Sequence, residues 1–213
     1  MNKFTLRIHM IMKRLVIVSM LFTVLATGNA QNWEIDLAKS INPHYPNSGY
    51  WKFMSASTYL ISAAVPASLL TAGFIENDAA LKRKSYSVFG GIVIEIIISE
   101  SLKSAINRKR PAEDYPMDIF PYRDMRGRSF PSGHTSMAFA TATSLSLELR
   151  KWYVVVPAYL WAGSVGYSRM YLGVHYPTDV LAGAVVGAGS AYISRWLNQK
   201  LFRNKKKLNK NYK

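Results

Sequence analysis

The chain contains no cysteine, and only 12 of its 213 residues are acidic, against 27 lysines and arginines. Without cysteine there is no disulfide framework, a fact that neither requires nor excludes an oxidising compartment. Without thiolates or a carboxylate-rich cluster, its few histidines point to acid, base or nucleophile chemistry rather than to a metal site, and no cofactor is expected. No internal repeat and no pronounced Pro-rich or Gly/Ser-rich linker interrupts the chain, so its length reads as one domain. The basic C-terminal tail lacks interleaved aromatics and follows directly on an apolar helix. It therefore argues against nucleic acid as a partner and for the cytoplasmic side of a membrane carrying anionic headgroups.

What the chain does have is segregation. Apolar residues make up 49%, the formal charge is +15, and a mean hydropathy near zero averages long uncharged runs with basic clusters. Phe53 to Ile75 carries no charge and meets the roughly 20 residues that a spanning helix needs. Ser85 to Leu102 is a second candidate, interrupted by Glu95 and Glu100. Gly133 to Leu147, Trp152 to Ser168 and Val180 to Ser194 are shorter apolar runs, the last with Gly183, Gly187 and Gly189 to admit a close neighbour. Glu100 lies one turn before Lys103 and is expected to pair with it. Both glutamates are read as structural supports, with proton handling as the alternative. Tyr50, Trp51, Trp152, Tyr153, Tyr171 and Trp196 fit interfacial anchors or ordinary packing equally.

Residues 1–30 stand apart. Lys3, Arg7, Lys13 and Arg14 precede a short apolar stretch from Leu15 to Ala26, and Gly28, Asn29 and Ala30 offer small residues for cleavage before Gln31. A cleaved export signal is the preferred reading and an uncleaved first anchor helix the alternative. Residues 31–198 form the helical bundle and 199–213 a basic cytoplasmic tail. Within the bundle, Gln31 to Lys52 is expected to open with an amphipathic helix on Trp33, Ile35, Leu37 and Ile41, followed by a turn at Pro43 to Gly49. An N-terminus on the inside places Lys82, Arg83, Lys84, Arg150, Lys151 and the basic tail inside as well, as the positive-inside rule requires. Apart from Lys39 and Lys52, the outward basic residues lie in or beside three polar segments, each at the outer end of a different helix.

Those segments are Lys103 with Arg110-Pro111, then Pro131-Ser132-Gly133-His134, and finally Ser168-Arg169 with His175 and Asp179. A transferring phosphoryl group spreads negative charge over its equatorial oxygens, and fixed cationic donors stabilise it most in the transition state. Lys103, Arg110 and Arg169 are the candidate clamp, the two guanidinium forks binding bidentately and the ammonium acting as a point charge. Ser132 and Gly133 precede an apolar helix, so their backbone N–H groups are placed to meet an anion at its N-terminus. Asp179, four residues after His175, can accept the Nδ1 proton and stabilise the charge that appears when Nε2 attacks phosphorus. His175 is thus the candidate nucleophile, Asp179 its orienter, and His134 the acid that protonates the leaving oxygen. Arg108, Lys109, Arg123, Arg126 and Arg128 read as a solvated basic rim.

In these three segments the chain resembles the type-2 phosphatidic acid phosphatase superfamily, which also includes bacterial acid phosphatases and vanadium haloperoxidases. The resemblance covers residues 103 to 179 without a substitution in the signature positions. It implies an all-α fold, here a membrane-embedded bundle of five to six transmembrane helices, and metal-independent dephosphorylation through a phosphohistidine. It places phosphate binding on Lys103, Arg110, Ser132, Gly133 and Arg169, the acid on His134, and the nucleophile and its partner on His175 and Asp179.

The expected protein is a multi-pass phosphatase of the bacterial inner membrane, with its site facing the periplasm and membrane lipids around it. Among lipid phosphates, a lipid A phosphate monoester is favoured because an exposed basic rim suits a bulky anionic headgroup. Polyprenyl diphosphate, phosphatidylglycerol phosphate and phosphatidic acid are the alternatives. A soluble periplasmic acid phosphatase, a vanadate-dependent haloperoxidase and a non-catalytic lipid-binding module rank below. The long uncharged run from Phe53 to Ile75 argues against the first, which release from the membrane pellet by salt alone would favour, the short membrane-like chain against the second, and the paired His175 and Asp179 against the third.

Overall fold

The computed structural model describes the backbone of residues 30–211 and the side chains of residues 33–202. The expected signal or anchor segment lies outside the described residues, except for Ala30. Seven helices appear among the described residues: α1 (Ala30–Ile41), α2 (Gly49–Ile75), α3 (Ala79–Ile106), α4 (Pro111–Asp114), α5 (Gly133–Leu149), α6 (Trp152–Tyr171) and α7 (Pro177–Asn211). No strand occurs among them, as the all-α expectation required.

Local chemistry sets the helix ends more than hydropathy does. The charged triplet Lys82 to Lys84 breaks the apolar run, yet α3 begins before it. Asp78 caps the helix there, accepting the N–H of Ala80 at 2.6 Å and of Leu81 at 3.3 Å. The same helix stops at Asn107, whose φ of 48° places it in the left-handed region. Pro66 interrupts α2 without ending it, and the Ser85 hydroxyl donates to the Pro66 carbonyl at 2.7 Å, tying α2 to α3. Packing corrects the apolar stripe expected on α1. Trp33 and Leu37 are exposed, and the buried face is Glu34, Ile35, Ala38 and Asn42.

Burial in the bundle is inverted relative to a water-soluble protein. Phe53, Leu60, Ile75, Phe89, Ile97, Leu160, Leu181 and Val185 all point outward, whereas the interior is lined by small and hydroxyl residues such as Thr58, Ser62, Ser99, Ser136, Ala138, Thr141 and Ser190. Outward apolar side chains need a hydrocarbon surround, and small inward residues let helix backbones approach. α2 and the Pro177–Phe202 part of α7 are each long and apolar enough to cross a membrane. Gly183 and Gly187 take α7 against α5: a Cβ on residue 187 would stand 2.1 Å from the Ser136 carbonyl oxygen. Gly189, grouped with them by sequence, faces open space.

Candidate active site

The three polar segments meet at one end of the bundle. Lys103 lies in the last turn of α3, and its Nζ is 3.1 Å from where a Cβ on Gly133 would be, which joins the first segment to the second. The Ser132 N–H donates to the Asp179 carbonyl at 3.0 Å and joins the second to the third. Arg110 closes the ring: its Nη1 donates to the Val174 carbonyl at 2.7 Å and lies 3.4 Å from His175 Nε2. His134, in the first turn of α5, packs edge-on against Tyr59 with centroids 4.9 Å apart. It is within electrostatic reach of Lys103, Arg123, Arg169 and His175.

Loop geometry holds this ring in place. The buried Asn42 amide, at the end of α1, donates to the carbonyls of Phe120 at 3.0 Å and Tyr171 at 2.9 Å and accepts the Phe120 N–H at 2.7 Å. It thereby pins the 115–130 loop to the end of α6. Gly173 sits in the same knot at φ 68°, where a Cβ would meet the Phe120 carbonyl oxygen at 2.6 Å. Ser129 fixes the loop's far end to the first segment, donating through its N–H to the Arg108 carbonyl and through its hydroxyl to the Lys109 carbonyl, both at 2.8 Å.

His175 and Asp179 form a buried pair. His175 Nδ1 is 3.4 Å from Asp179 Oδ2, which also accepts the Tyr176 N–H at 2.9 Å. Burial pushes the His175 imidazole down to about 4, helped by Arg169 and Arg110 and opposed by Asp179. The ring is therefore neutral near pH 7, with Nε2 carrying a lone pair toward Arg110.

Arg110 and Arg169, expected to form a clamp, keep unspent donors. Arg169 donates from Nη1 to the Ser55 hydroxyl, but its Nε and Nη2, and the Nε of Arg110, are buried without a protein partner. Buried N–H groups left bare are costly, and a tetrahedral oxyanion between these two guanidinium groups would satisfy them. Burial holds the Arg110 guanidinium below its ordinary value, yet it stays charged. Lys103 pairs with Glu100 at 2.7 Å, as its place one turn earlier suggested. Glu95 is fully buried and accepts the Ser136 hydroxyl, tying α3 to α5 beneath the site.

Two expectations need correction. The Ser132 N–H is spent on Asp179, and its hydroxyl accepts from Thr135 at 2.9 Å, so from this pair only the Gly133 N–H and the Ser132 hydroxyl proton are left for an anion. Arg108 does not belong to the solvated rim formed by the exposed Lys109, Arg123, Arg126 and Arg128. It bridges inward to Asp179 Oδ1 at 3.0 Å and to Glu34 Oε2 at 2.7 Å, with its guanidinium 3.8 Å from the Tyr176 ring centroid. Burial disfavours its charge, but the Glu34 hydrogen bond and the Asp179 carboxylate outweigh that and raise it above its ordinary value. Glu34 was not singled out from sequence, and a lone acid on an amphipathic helix gives little signal.

Comparison with known proteins agrees with this geometry. Residues 85–203 match the PAP2 superfamily. A lipid A 4'-phosphatase from Bacteroides thetaiotaomicron is 33% identical over 105 residues, which is 47% of this chain and 47% of that protein. The chain spans about half the length of the curated relatives it matches first. The crystal structure of Aquifex aeolicus LpxE is 34% identical and superposes with a TM-score of 0.63, over 76% of this chain and 94% of that one. A transmembrane PAP2-type phosphatidylglycerolphosphate phosphatase from Bacillus subtilis shares the fold at 24% identity, with a TM-score of 0.65 over 87% and 94% of the two chains. With its matched region covering more than half the sequence and all three polar segments gathered at one end of a membrane-embedded helical bundle, the chain belongs to the PAP2 superfamily.

Proposed function

We propose that this protein is a phosphatase that hydrolyses a lipid phosphate on the periplasmic face of the bacterial inner membrane through a phosphohistidine. The observation that carries this reading is the buried set of bare guanidinium N–H groups on Arg110 and Arg169, with neutral His175 3.4 Å from the Arg110 fork. Lys103, Arg110, Arg169, the Gly133 N–H and the Ser132 hydroxyl hold the phosphoryl oxygens. His175 Nε2 attacks phosphorus as the bond to the lipid oxygen breaks, and His134 gives that oxygen a proton. Asp179 keeps the Nδ1 proton in place and stabilises the imidazolium. Water then attacks the phosphohistidine with His134 as base, releasing inorganic phosphate and restoring both histidines.

A lipid substrate follows from the setting. The site lies at one end of helices whose outer faces are apolar, so acyl chains can stay in hydrocarbon while the headgroup enters. The distribution of lysine and arginine supports the outward placement. Similarity to a lipid A 4'-phosphatase supports a lipid A phosphate monoester. Purified protein presented with lipid A, polyprenyl diphosphate, phosphatidylglycerol phosphate and phosphatidic acid should release phosphate fastest from lipid A, with acid-labile phosphate trapped on His175. Turnover of polyprenyl diphosphate with none of lipid A would reassign the substrate, and full activity in His175→Ala would overturn the mechanism.

A further inference from the structure

We propose that Glu34 is a positioning residue for the His175 and Asp179 pair, acting through Arg108 and through the first turn of α7. The proposal rests on His175 being the nucleophile. Glu34 is 5% exposed although it lies on α1, far along the chain from every other residue of the site and outside the family match. Its Oε2 accepts Arg108 Nη2 at 2.7 Å, and its Oε1 accepts the Thr178 N–H at 3.1 Å, the Thr178 hydroxyl, and Arg108 Nη1 at 3.4 Å. Arg108 Nη1 in turn donates to Thr178 Oγ1 at 2.7 Å and to Asp179 Oδ1 at 3.0 Å. One carboxylate therefore holds both the guanidinium on Asp179 and the backbone turn that carries Asp179.

Charge explains why a second acid is needed. Asp179 paired with Arg108 alone would be a neutral couple, with little left to stabilise an imidazolium at His175. Two carboxylates sharing one guanidinium keep a net negative charge behind the ring. The other charged or titratable groups facing His175 are Arg110 from the loop before α4, Arg169 from α6 and His134 from α5, and the cations among them favour the neutral ring.

The test uses full-length Glu34→Gln, Arg108→Gln and the double variant in mixed micelles, with lipid A or whichever of the four lipids the wild type turns over fastest. Glu34→Gln preserves shape, so kcat should fall about 10-fold to 100-fold, the range seen when outer-shell groups that orient metal ligands are removed. KM should stay within about two-fold because the three phosphate-binding cations are untouched. The acid limb of kcat/KM should move to lower pH in Glu34→Gln and to higher pH in Arg108→Gln, since one removes a negative and the other a positive charge behind the ring. The double variant should lose less than the product of the single losses, because each residue acts through the other. A purely structural role would reduce the yield of folded protein and leave the acid limb where it was. Wild-type kcat with an unmoved limb in Glu34→Gln, or losses that multiply in the double variant, overturns the proposal. If the wild type turns over none of the four lipids, or does so without needing His175, the reading of the site fails and this proposal falls with it. Activity that needs His175 but ignores Glu34 removes the positioning role alone.

Discussion

The Nζ of Lys103 fills the space that a side chain on residue 133 would occupy, 3.1 Å from the would-be Cβ. A methyl there meets the end of a flexible side chain rather than backbone, so Gly133→Ala should fold. The displaced ammonium would, however, move off the phosphate position proposed for it beside Gly133. The expected outcome is a kcat/KM lowered about ten-fold, near 1.4 kcal/mol of transition-state stabilisation, most of it in kcat. Steady-state kinetics on the lipid that the wild type prefers would check it, and an unchanged kcat/KM would take Lys103 out of the clamp.

Asp179→Asn tests the orienter. Asp179 is fully buried, and its carboxylate meets Arg108, the Tyr176 N–H and His175. An amide of the same shape can keep one acceptor but leaves Arg108 without its inner counter-charge and favours the wrong imidazole tautomer. Comparable changes in other hydrolases suggest a kcat loss of about 10⁴-fold. Single-turnover assays with a trapped phosphohistidine should show slow formation of the intermediate, whereas an effect confined to its hydrolysis would assign Asp179 a different step.

The polar segments were legible because each places charged or hydroxyl residues against an apolar background, where such residues are too costly to be incidental. Arg108 and Glu34 lacked that contrast. Arg108 sits among Lys109, Arg110 and nearby loop cations, so nothing local separates the one that turns inward from those that face solvent. Glu34 is buried only because the Asn42 knot and the α7 start close over α1, a tertiary event with no trace in the spacing of Trp33, Ile35 and Leu37. Helix extents were underestimated for a similar reason. Hydropathy marks the hydrocarbon-facing part of a helix, while caps such as Asp78 and Asn107 decide where the backbone starts and stops.

Acid should destabilise the folded protein through His175. Its pKa is lowered to about 4 in the fold, against 6.5 ordinarily, so the unfolded chain binds more protons between those values. The contribution is complete above about pH 6.5 and is lost as pH falls toward 4, on the order of a few kcal/mol at most. Thermal melts in detergent should therefore show a midpoint that declines from pH 6.5 to pH 4, and His175→Gln should flatten that part of the decline. An equally steep decline in the variant would mean that His175 is not the titrating group.

Two glycines on α7 separate close packing from composition. A Cβ on residue 187 would stand 2.1 Å from the Ser136 carbonyl oxygen and 2.7 Å from the Ala140 nitrogen, both backbone atoms of α5 that cannot step aside. Gly187→Ala should push α7 from α5 and cost about 1–3 kcal/mol or more. Because α5 carries Ser132, Gly133 and His134 at its start and α7 carries Asp179, the same shift should lower kcat. Gly189, with open space around its would-be Cβ, accepts alanine without a clash. Melting temperature and activity of the two variants, measured side by side, should fall for Gly187→Ala and hold for Gly189→Ala. Equal behaviour would mean that the α5 and α7 contact tolerates separation, and that the site does not depend on it.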